Sequence, residues 1–225
     1  MQESLSNISI KVNQNLFIKD PETSQLGKKI VSGSIDLIDE IGFDAFTFKK
    51  LGAEINSTEA SIYRYFENKY KLLLYLSSWY WGWINYKIFF NTINVESPKE
   101  RLSRSIKILT ETILEDSNFS HINEVKLHKI IIAESSKSYL IKEVDDINNE
   151  GAYLAYKELV SRVSEIVLEI KPDYKYPNML ISTVIEGSHF QRYFADHLPR
   201  LTNVIDGEDS IYNFYNNIVF KALEN

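Results

Sequence analysis

Apolar residues recur at helical spacing along most of the chain. Leu37 and Ile41 lie seven and eleven positions after Ile30, which puts all three on one face of a helix over about residues 24–41. Gly42 follows the last apolar position, as a residue that ends a helix commonly does. Only eight glycines and five prolines interrupt the 225 residues, and alternating β-branched runs are nearly absent. The pattern therefore predicts an all-α fold.

Two short helices joined by a tight turn are predicted next. Apolar residues at offsets of 0, 3 and 7 indicate a helix over residues 48–55, and Asn56 follows it. Asparagine tolerates the left-handed conformation better than most residues, so it can form the turn. Thr58 or Ser57 then caps a second short helix over about residues 59–66. Two short helices at this spacing make a helix-turn-helix.

The remainder of the chain has the same helical periodicity. Its predicted helices are a long one that begins after Asn68 and others at about residues 98–116, 120–138, 144–170, 178–196 and 209–223. The predicted parts of the chain are a flexible N-terminal arm over residues 1–24, a helix-turn-helix domain over 25–75 and a helical domain over 76–225.

Composition and charge limit the functions that a protein of this predicted fold could have. There are no cysteines, which excludes disulfides and thiolate zinc sites and fits a reducing compartment. The N-terminal residues lack the regions of a signal peptide, and no apolar run reaches the roughly 20 residues of a membrane span, so we expect a soluble cytoplasmic protein. The net charge is -6, but residues 45–75 carry five basic and three acidic side chains, a local net of +2. Nucleic-acid binding depends on such a local patch more than on total charge.

A set of residues at fixed spacing runs through the helix-turn-helix, and its members are Gly42, Phe43, Thr47, Leu51, Gly52, Ser61, Ile62, Tyr63, Tyr65, Phe66, Lys69, Leu72 and Leu73. With these residues the stretch from Gly42 to Leu73 resembles the tetracycline-repressor (TetR) family of bacterial transcription regulators. Three positions depart from the family pattern: Asn56 stands where glycine is usual, Ser57 where valine is usual, and Ala60 where glycine is common. Ser57 removes an apolar contact that anchors the second short helix in the family.

The resemblance implies that the second short helix enters the major groove of DNA as a recognition helix. Arginine can bridge guanine, serine and threonine can bond several bases, and glutamate can accept from the amino group of cytosine. Glu59 has two interpretations, because it either reads cytosine or weakens binding by facing phosphates. Plain packing is the alternative for Tyr63, and a solvated face is the alternative for the adjacent lysines. The resemblance assigns base contacts to Thr58, Glu59, Ala60, Ser61 and Arg64, phosphate contacts to Thr47, Tyr63 and Lys69, and non-specific attraction to Lys49 and Lys50.

The resemblance also implies an effector pocket and a homodimer interface in the C-terminal domain. Such pockets are mostly apolar with a few placed polar groups, and the chain contains 14 tyrosines. The candidate effector-binding residues are Trp83, Tyr86, Tyr139, Tyr153, His189 and Tyr193. The candidate residues of the dimer interface are Leu159, Val163, Ile166, Leu180, Val184 and Gly187. The alternative for the candidate dimer residues is that the apolar helix faces on which they lie pack against the chain's own core.

The sequence therefore predicts a ligand-responsive DNA-binding regulator, most simply a repressor, that binds a palindromic operator as a homodimer. A second hypothesis is a ligand-binding or protein-interaction module of the same fold that has lost operator binding, which Glu59, Ser57 and the acidic net charge motivate. His121, Glu124 and His128, at offsets of 0, 3 and 7, could bind a divalent metal, but a solvated helix face explains the same spacing. No nucleophile–base set or phosphate loop indicates an enzyme, and we predict no cofactor or metal.

Overall fold

Helices form all the regular secondary structure that the computed structural model describes, which covers residues 10–114 and 121–224 without the side chains of residues 135 and 136. No strand occurs in these ranges, and the predicted all-α class is confirmed. None of the helices within them is long and apolar enough to cross a membrane. The described α-helices are α1 (Gln25–Ala45), α2 (Phe48–Glu54), α3 (Glu59–Ile62), α4 (Lys69–Thr92), α5 (Pro98–Thr110), α6 (Glu124–Tyr139), α7 (Val144–Asn149), α8 (Leu154–Ile170), α9 (Pro177–His197) and α10 (Ser210–Glu224).

The N-terminal segment was expected to be loose over residues 1–24, of which residues 1–9 lie outside the described residues. From residue 10 onward it forms two short 3-10 turns, and Leu16 in the first of them is fully buried. Ser24 ends the segment and caps α1, because its hydroxyl oxygen accepts the Gly27 amide at 3.0 Å. The described part of this segment is therefore a packed element of the fold.

The end of α1 and the turn after α2 both depend on left-handed backbone conformations. Gly42 has a φ of 76°, and a last turn continues beyond it to Ala45, so α1 is longer than the predicted helix over residues 24–41. Asn56 has a φ of 52° and is the only non-glycine residue with positive φ in the described ranges. The predicted role of Asn56 in the turn agrees with this conformation.

The second short helix is only one turn long. Thr58 caps α3 by accepting the Ser61 amide at 3.2 Å, which selects Thr58 over Ser57 as the cap. α3 ends at Ile62, whereas the periodicity predicts a helix to residue 66, and the chain continues in turns. The apolar spacing placed Phe66 on the buried face of this helix. Phe66 is fully buried, but a turn after α3 places it in the core.

The described residues form two compact units, and the boundary falls inside α4. The first contains the residues up to Gly82 together with Ile113–Ala155, and the second contains Trp83–Thr112 and the residues from Tyr156 onward. Helices α6 and α7 therefore belong to the same unit as the helix-turn-helix, where α6 packs beside α1. The predicted functional boundary at residue 75 stays a prediction, because packing does not define which part of a chain binds DNA.

The helix predicted over residues 144–170 is instead divided into α7 and α8. Gly151, between them, has a φ of 83°, a conformation that favours glycine. Its amide donates to the Asn148 carbonyl at 2.9 Å and closes the turn. The apolar spacing of α8 continues the spacing of α7 closely enough that periodicity alone does not reveal the break.

In the second unit, α9 packs against α5 and α10. The Arg192 guanidinium on α9 joins the other two helices, because it donates to the Thr110 carbonyl at 2.8 Å and to both Asp209 oxygens at 2.7 and 2.8 Å. A Cβ atom at Gly187 would lie 2.2 Å from the Tyr215 hydroxyl oxygen. The close approach that Gly187 permits is therefore made by α10 of the same chain.

Candidate DNA-binding surface

The side chains predicted to read bases are presented on and just after α3. Thr58, Glu59, Ala60 and Arg64 are exposed, and Ser61 is half-buried. The Thr58 and Ser61 hydroxyl oxygens lie 2.8 Å apart, so the two groups already share a hydrogen bond in the free chain. Gly52 lets α2 approach this segment, since a Cβ atom there would lie 2.9 Å from the Ser57 carbonyl oxygen. The backbone contact with Gly52 keeps α3 close to α2 although Ser57 lacks the usual apolar side chain.

Tyr63 combines packing with exposure. Its ring makes an edge contact with Phe48 at 5.0 Å between centroids, yet 47% of the residue remains exposed. Thr47 is exposed and caps α2 by accepting the Lys50 amide at 3.2 Å. Both positions are therefore compatible with the predicted phosphate contacts, and packing of the Tyr63 ring on Phe48 orients its hydroxyl.

The basic side chains near α2 and α3 differ in how they are engaged. Lys49 and Arg64 are exposed and form no salt bridge with any residue in the described ranges. The Lys50 ammonium donates to the Ala45 carbonyl at 2.9 Å, at the end of α1. Lys49 and Arg64 are consequently the cations of this surface best placed for an external anion.

Lys69 is held inside the unit by three hydrogen bonds. Its ammonium donates to the carbonyl oxygens of Phe43, Asp44 and Phe46 at 3.0, 3.2 and 3.2 Å, and lies 4.7 Å from the centre of the Phe43 ring. An ammonium group has three hydrogens, so all three are used. The phosphate contact implied for Lys69 stays a prediction, and in this structure the ammonium instead holds the last carbonyls of α1.

One acidic group beside this surface is neutralised from α6. The Asp44 carboxylate lies 2.8 Å from the Lys137 ammonium, and this hydrogen bond lowers the pKa of Asp44. Lys137 also lies 2.8 Å from Glu134, and the two carboxylates raise its pKa. The pair adds little stability because it is exposed, but it reduces the negative charge at the end of α1.

The candidate effector-binding residues are divided between the two units. Tyr139 and Tyr153 belong to the first, where the Tyr153 hydroxyl donates to the Ser138 carbonyl at 2.7 Å. Of the four in the second unit, Trp83 and His189 are buried, Tyr86 is half-buried, and Tyr193 is exposed. Their grouping around one ligand stays a prediction.

The buried His189 is expected to make the free energy of unfolding of the protein depend on pH. Burial lowers the pKa of His189 to about 4, below its ordinary value of 6.5, so the unfolded chain binds a proton between these values that the folded chain does not. The free energy of unfolding is expected to fall by about 2–3 kcal/mol between pH 7.5 and pH 4.5 through this group. Urea unfolding of wild type and His189→Gln at both pH values measures it.

The matched control for this prediction is His197→Gln, because His197 is exposed at the end of the same helix. The control is expected to keep the wild-type pH dependence, whereas His189→Gln is expected to lose the part that His189 contributes. Equal pH dependence in wild type and His189→Gln would contradict the assignment.

A cavity of about 380 Å³ lies in the second unit beside the N-terminal end of α10. Its lining mixes apolar side chains with amides and hydroxyls and has one carboxylate. None of the six candidate effector-binding residues lines it. The lining residues are Gln191, Leu201, Thr202, Asn203, Ile205, Glu208, Ser210, Ile211, Asn213 and Phe214.

Most candidate dimer residues belong to the core of a single chain. Leu159, Val163, Ile166 and Val184 are buried within the second unit, and only Leu180 and Gly187 of the six are half-buried. The alternative interpretation, that these helix faces pack against the chain's own core, therefore accounts for four of them. Large apolar side chains remain exposed on α9 and α10 instead, and they are Met179, Phe190, Tyr193, Phe214 and Ile218.

The two histidines among the candidate metal ligands have separate partners. His121 precedes α6, so it is not on the predicted helical face, and its Nε2 lies 2.8 Å from a Glu22 carboxylate oxygen. His128 lies on α6, with Nδ1 2.7 Å from the Tyr80 hydroxyl oxygen, and Glu124 is buried. In the described ranges, no group of three or more such side chains could hold a metal ion.

These features define a helix-turn-helix protein whose second short helix is presented for contact with DNA. Residues 30–76 match the family model of bacterial regulatory proteins of the tetR family. The chain therefore carries the helix-turn-helix domain of the tetR family, and the resemblance found from Gly42 to Leu73 is confirmed. Comparison with curated protein sequences finds no match.

Solved structures share the fold across most of the chain. The fatty acid degradation regulator FadR from Bacillus halodurans is 15% identical with a TM-score of 0.56, and the match covers 87% of this chain and 96% of FadR. AibR in complex with isovaleryl coenzyme A and operator DNA is 14% identical with a TM-score of 0.54, covering 85% of this chain and 95% of AibR. The superantigen PfiT is 13% identical with a TM-score of 0.59, covering 90% and 97%. At these identities the matches establish the fold alone.

Proposed function

We propose that the protein is a ligand-responsive transcriptional repressor that binds a palindromic operator as a homodimer in the bacterial cytoplasm. The observation that carries the proposal is the exposed α3 segment within the family's helix-turn-helix, with Arg64 and Tyr63 presented beside it.

Contact with DNA is supported by side chains of two kinds on this surface, one suited to reading bases and the others to binding phosphates. Arg64 is free to form a bidentate contact with guanine or to bind phosphate. The Lys49 ammonium, the Thr47 hydroxyl and the Tyr63 hydroxyl supply phosphate contacts that set the position of α3 in the groove.

The Glu59 carboxylate either reads cytosine or repels phosphate, and Glu59→Gln separates these two effects. Loss of preference at one base position indicates readout. Stronger binding with relaxed sequence preference indicates repulsion.

A small organic effector is the proposed ligand of the helical domain. AibR with bound isovaleryl coenzyme A and FadR, a regulator of fatty acid degradation, have the same fold, which makes an acyl-containing ligand a reasonable first class to test. The cavity beside α10 is a second place to look for binding, because it combines an apolar wall with hydrogen-bonding groups. An effector changes operator affinity only by binding the two conformations of the regulator with different affinity.

The homodimer is proposed to form through the exposed apolar face of α9 and α10. These helices pack beside each other and leave Phe190 and Phe214 each 54% exposed. Large apolar side chains left exposed on neighbouring helices commonly mark a protein interface. Two recognition helices must reach major grooves roughly 34–36 Å apart, so a palindromic operator requires such a dimer.

Binding to the palindromes next to the protein's own gene tests the proposal. Fluorescence anisotropy at low salt is expected to show tight binding by wild type, and Arg64→Ala is expected to weaken it by about 10-fold or more. The control is Lys175→Ala, an exposed cation of the second unit, which is expected to leave affinity unchanged. A folded dimer that binds none of these duplexes at low salt would rule the proposal out.

The alternative is a module of the same fold that has lost operator binding. Glu59, exposed at the front of α3, favours it, and so does the fold shared with a superantigen, since that fold is not confined to regulators. Tight effector binding without DNA affinity at any salt concentration would establish this alternative.

A further inference from the structure

The N-terminal segment contacts the end of the recognition helix through one residue, Tyr65. The Ile18 amide donates to the Tyr65 carbonyl at 2.8 Å, and the Ser24 and Tyr65 hydroxyl oxygens lie 2.8 Å apart. The Lys19 ammonium lies 5.1 Å from the centre of the Tyr65 ring. Tyr65 follows the end of α3 by three residues, so these contacts join the N-terminal segment to the turns that follow the recognition helix.

The same segment is tied at its other end to the turn between α7 and α8. The Asn13 side-chain amide donates to the carbonyl oxygens of Glu150 and Gly151, each at 3.1 Å, and the Asn15 side chain donates to the Glu150 carbonyl at 2.9 Å. The Lys71 ammonium pairs with the Glu150 carboxylate and also donates to the Asn15 carbonyl at 3.4 Å. Asn13 and Asn15 thus bind the segment to the turn directly, and Lys71 of α4 contacts both.

We propose that residues 13–24 are a strap that positions the recognition helix, and that Asn13 and Gly151 are its positioning residues. The strap contacts both the α7–α8 turn and Tyr65. A change in the conformation of that turn therefore moves the strap and alters how α3 is presented to DNA. In its consequence for DNA binding, the inference rests on the proposed function. Both ends of the strap belong to the first compact unit.

The strap is held by an apolar contact in its middle and by polar contacts at the α7–α8 turn. Leu16, in the middle, is buried and provides apolar anchorage. The bonds from Asn13 and Asn15 to the Glu150 carbonyl are solvent-exposed, so each contributes little stability. The bond from Asn13 to the Gly151 carbonyl is part-buried, and it makes Asn13 the stronger of the two polar anchors. A Cβ atom at Gly151 would lie 2.3 Å from the Asn13 amide nitrogen, so alanine there requires the Asn13 side chain to move from its place against the turn.

Gly151→Ala, with Gly207→Ala as its matched control, tests the strap. Both glycines have nearly equal positive φ, 83° and 81°, so alanine causes similar backbone strain at each. At Gly207, however, a Cβ atom meets nothing within 4 Å, whereas at Gly151 it displaces Asn13. The difference between the two variants therefore isolates the strap from backbone strain.

Hydrogen exchange of the free protein is the first readout. Gly151→Ala is expected to raise exchange at least about five-fold at the amide of Ile18, which donates to the Tyr65 carbonyl from the strap. The same increase is expected at the amides of Tyr65 and Phe66, which donate to the Ile62 carbonyl next to this contact, and Gly207→Ala is expected to leave all three amides unchanged. Asn13→Ala, which introduces no backbone strain, is expected to change exchange at the same amides. Equal exchange at these amides in all three variants and wild type would overturn the proposal.

Operator affinity is the second readout. Gly151→Ala and Asn13→Ala are expected to weaken binding by about five-fold or more relative to Gly207→Ala, at unchanged dimerisation. Increased exchange with unchanged affinity for a duplex that wild type binds would show that the strap does not position α3, and would overturn the proposal. If wild type binds no duplex, the proposed function fails, while the exchange readout still decides whether the strap orders the end of the recognition helix.

Discussion

Lys69→Met is expected to lower the free energy of unfolding of the helix-turn-helix by about 2–4 kcal/mol and to abolish operator binding. The substitution keeps an unbranched apolar side chain but removes the charge that holds the Phe43, Asp44 and Phe46 carbonyls. These carbonyls lie at the end of α1, whose last turn contains no basic residue of its own. Hydrogen bonds from a charged donor contribute more than neutral ones, but Lys69 is only half-buried, so solvent screens part of this interaction.

Lys49→Met provides the matched control, because Lys49 is exposed on the neighbouring helix. It is expected to leave the unfolding free energy unchanged and to reduce the salt dependence of operator binding by about one phosphate contact. Chemical unfolding followed by circular dichroism, together with anisotropy at several salt concentrations, separates the two roles. If Lys69→Met behaves like Lys49→Met, Lys69 contacts phosphate as the family resemblance implies, and the structural role is wrong.

The helix-turn-helix is the part of the fold that the sequence predicts most fully, because its signals are local. The Thr58 cap and the left-handed Asn56 each act within a few residues of their own position. A spacing rule therefore finds them without knowledge of the rest of the chain. The exposure of Arg64 and Glu59 follows from the same local geometry.

The roles that sequence reasoning missed depend on contacts between distant segments. Lys69 meets carbonyls more than twenty residues earlier, and Asn13 meets a turn 137 residues later. Apolar spacing shows that one face of α8 is buried, but it does not show whether the partner is the same chain or a second copy. For that reason Leu159 and Val163, which belong to the chain's own core, matched a dimer interface equally well. A lone glycine such as Gly151 is too weak a signal to break a helix against continuous periodicity.

Introducing a carboxylate into the exposed face of α9 and α10 is expected to dissociate the homodimer. Phe190→Glu and Phe214→Glu each place a charge at a side chain that is 54% exposed in the single chain, so folding of the chain is expected to continue. In a dimer the same carboxylate would be buried without a partner, which costs several kcal/mol. Each variant is expected to sediment as a monomer and to bind the palindromic operator at least about 100-fold more weakly, because the two half-sites are no longer bound together.

Using one substitution on each helix distinguishes dimerisation from an effect on the cavity, since Phe214 lines the cavity and Phe190 does not. Equal loss of the dimer in both variants therefore requires that the two helices share the interface. Leu140→Glu is the control, because Leu140 is 76% exposed in the first unit and a carboxylate there stays solvated. It is expected to remain a dimer with wild-type affinity. If Phe190→Glu and Phe214→Glu remain dimers, α9 and α10 do not form the interface. Binding of a full palindrome by a monomeric variant with wild-type affinity would show instead that recognition does not require the dimer.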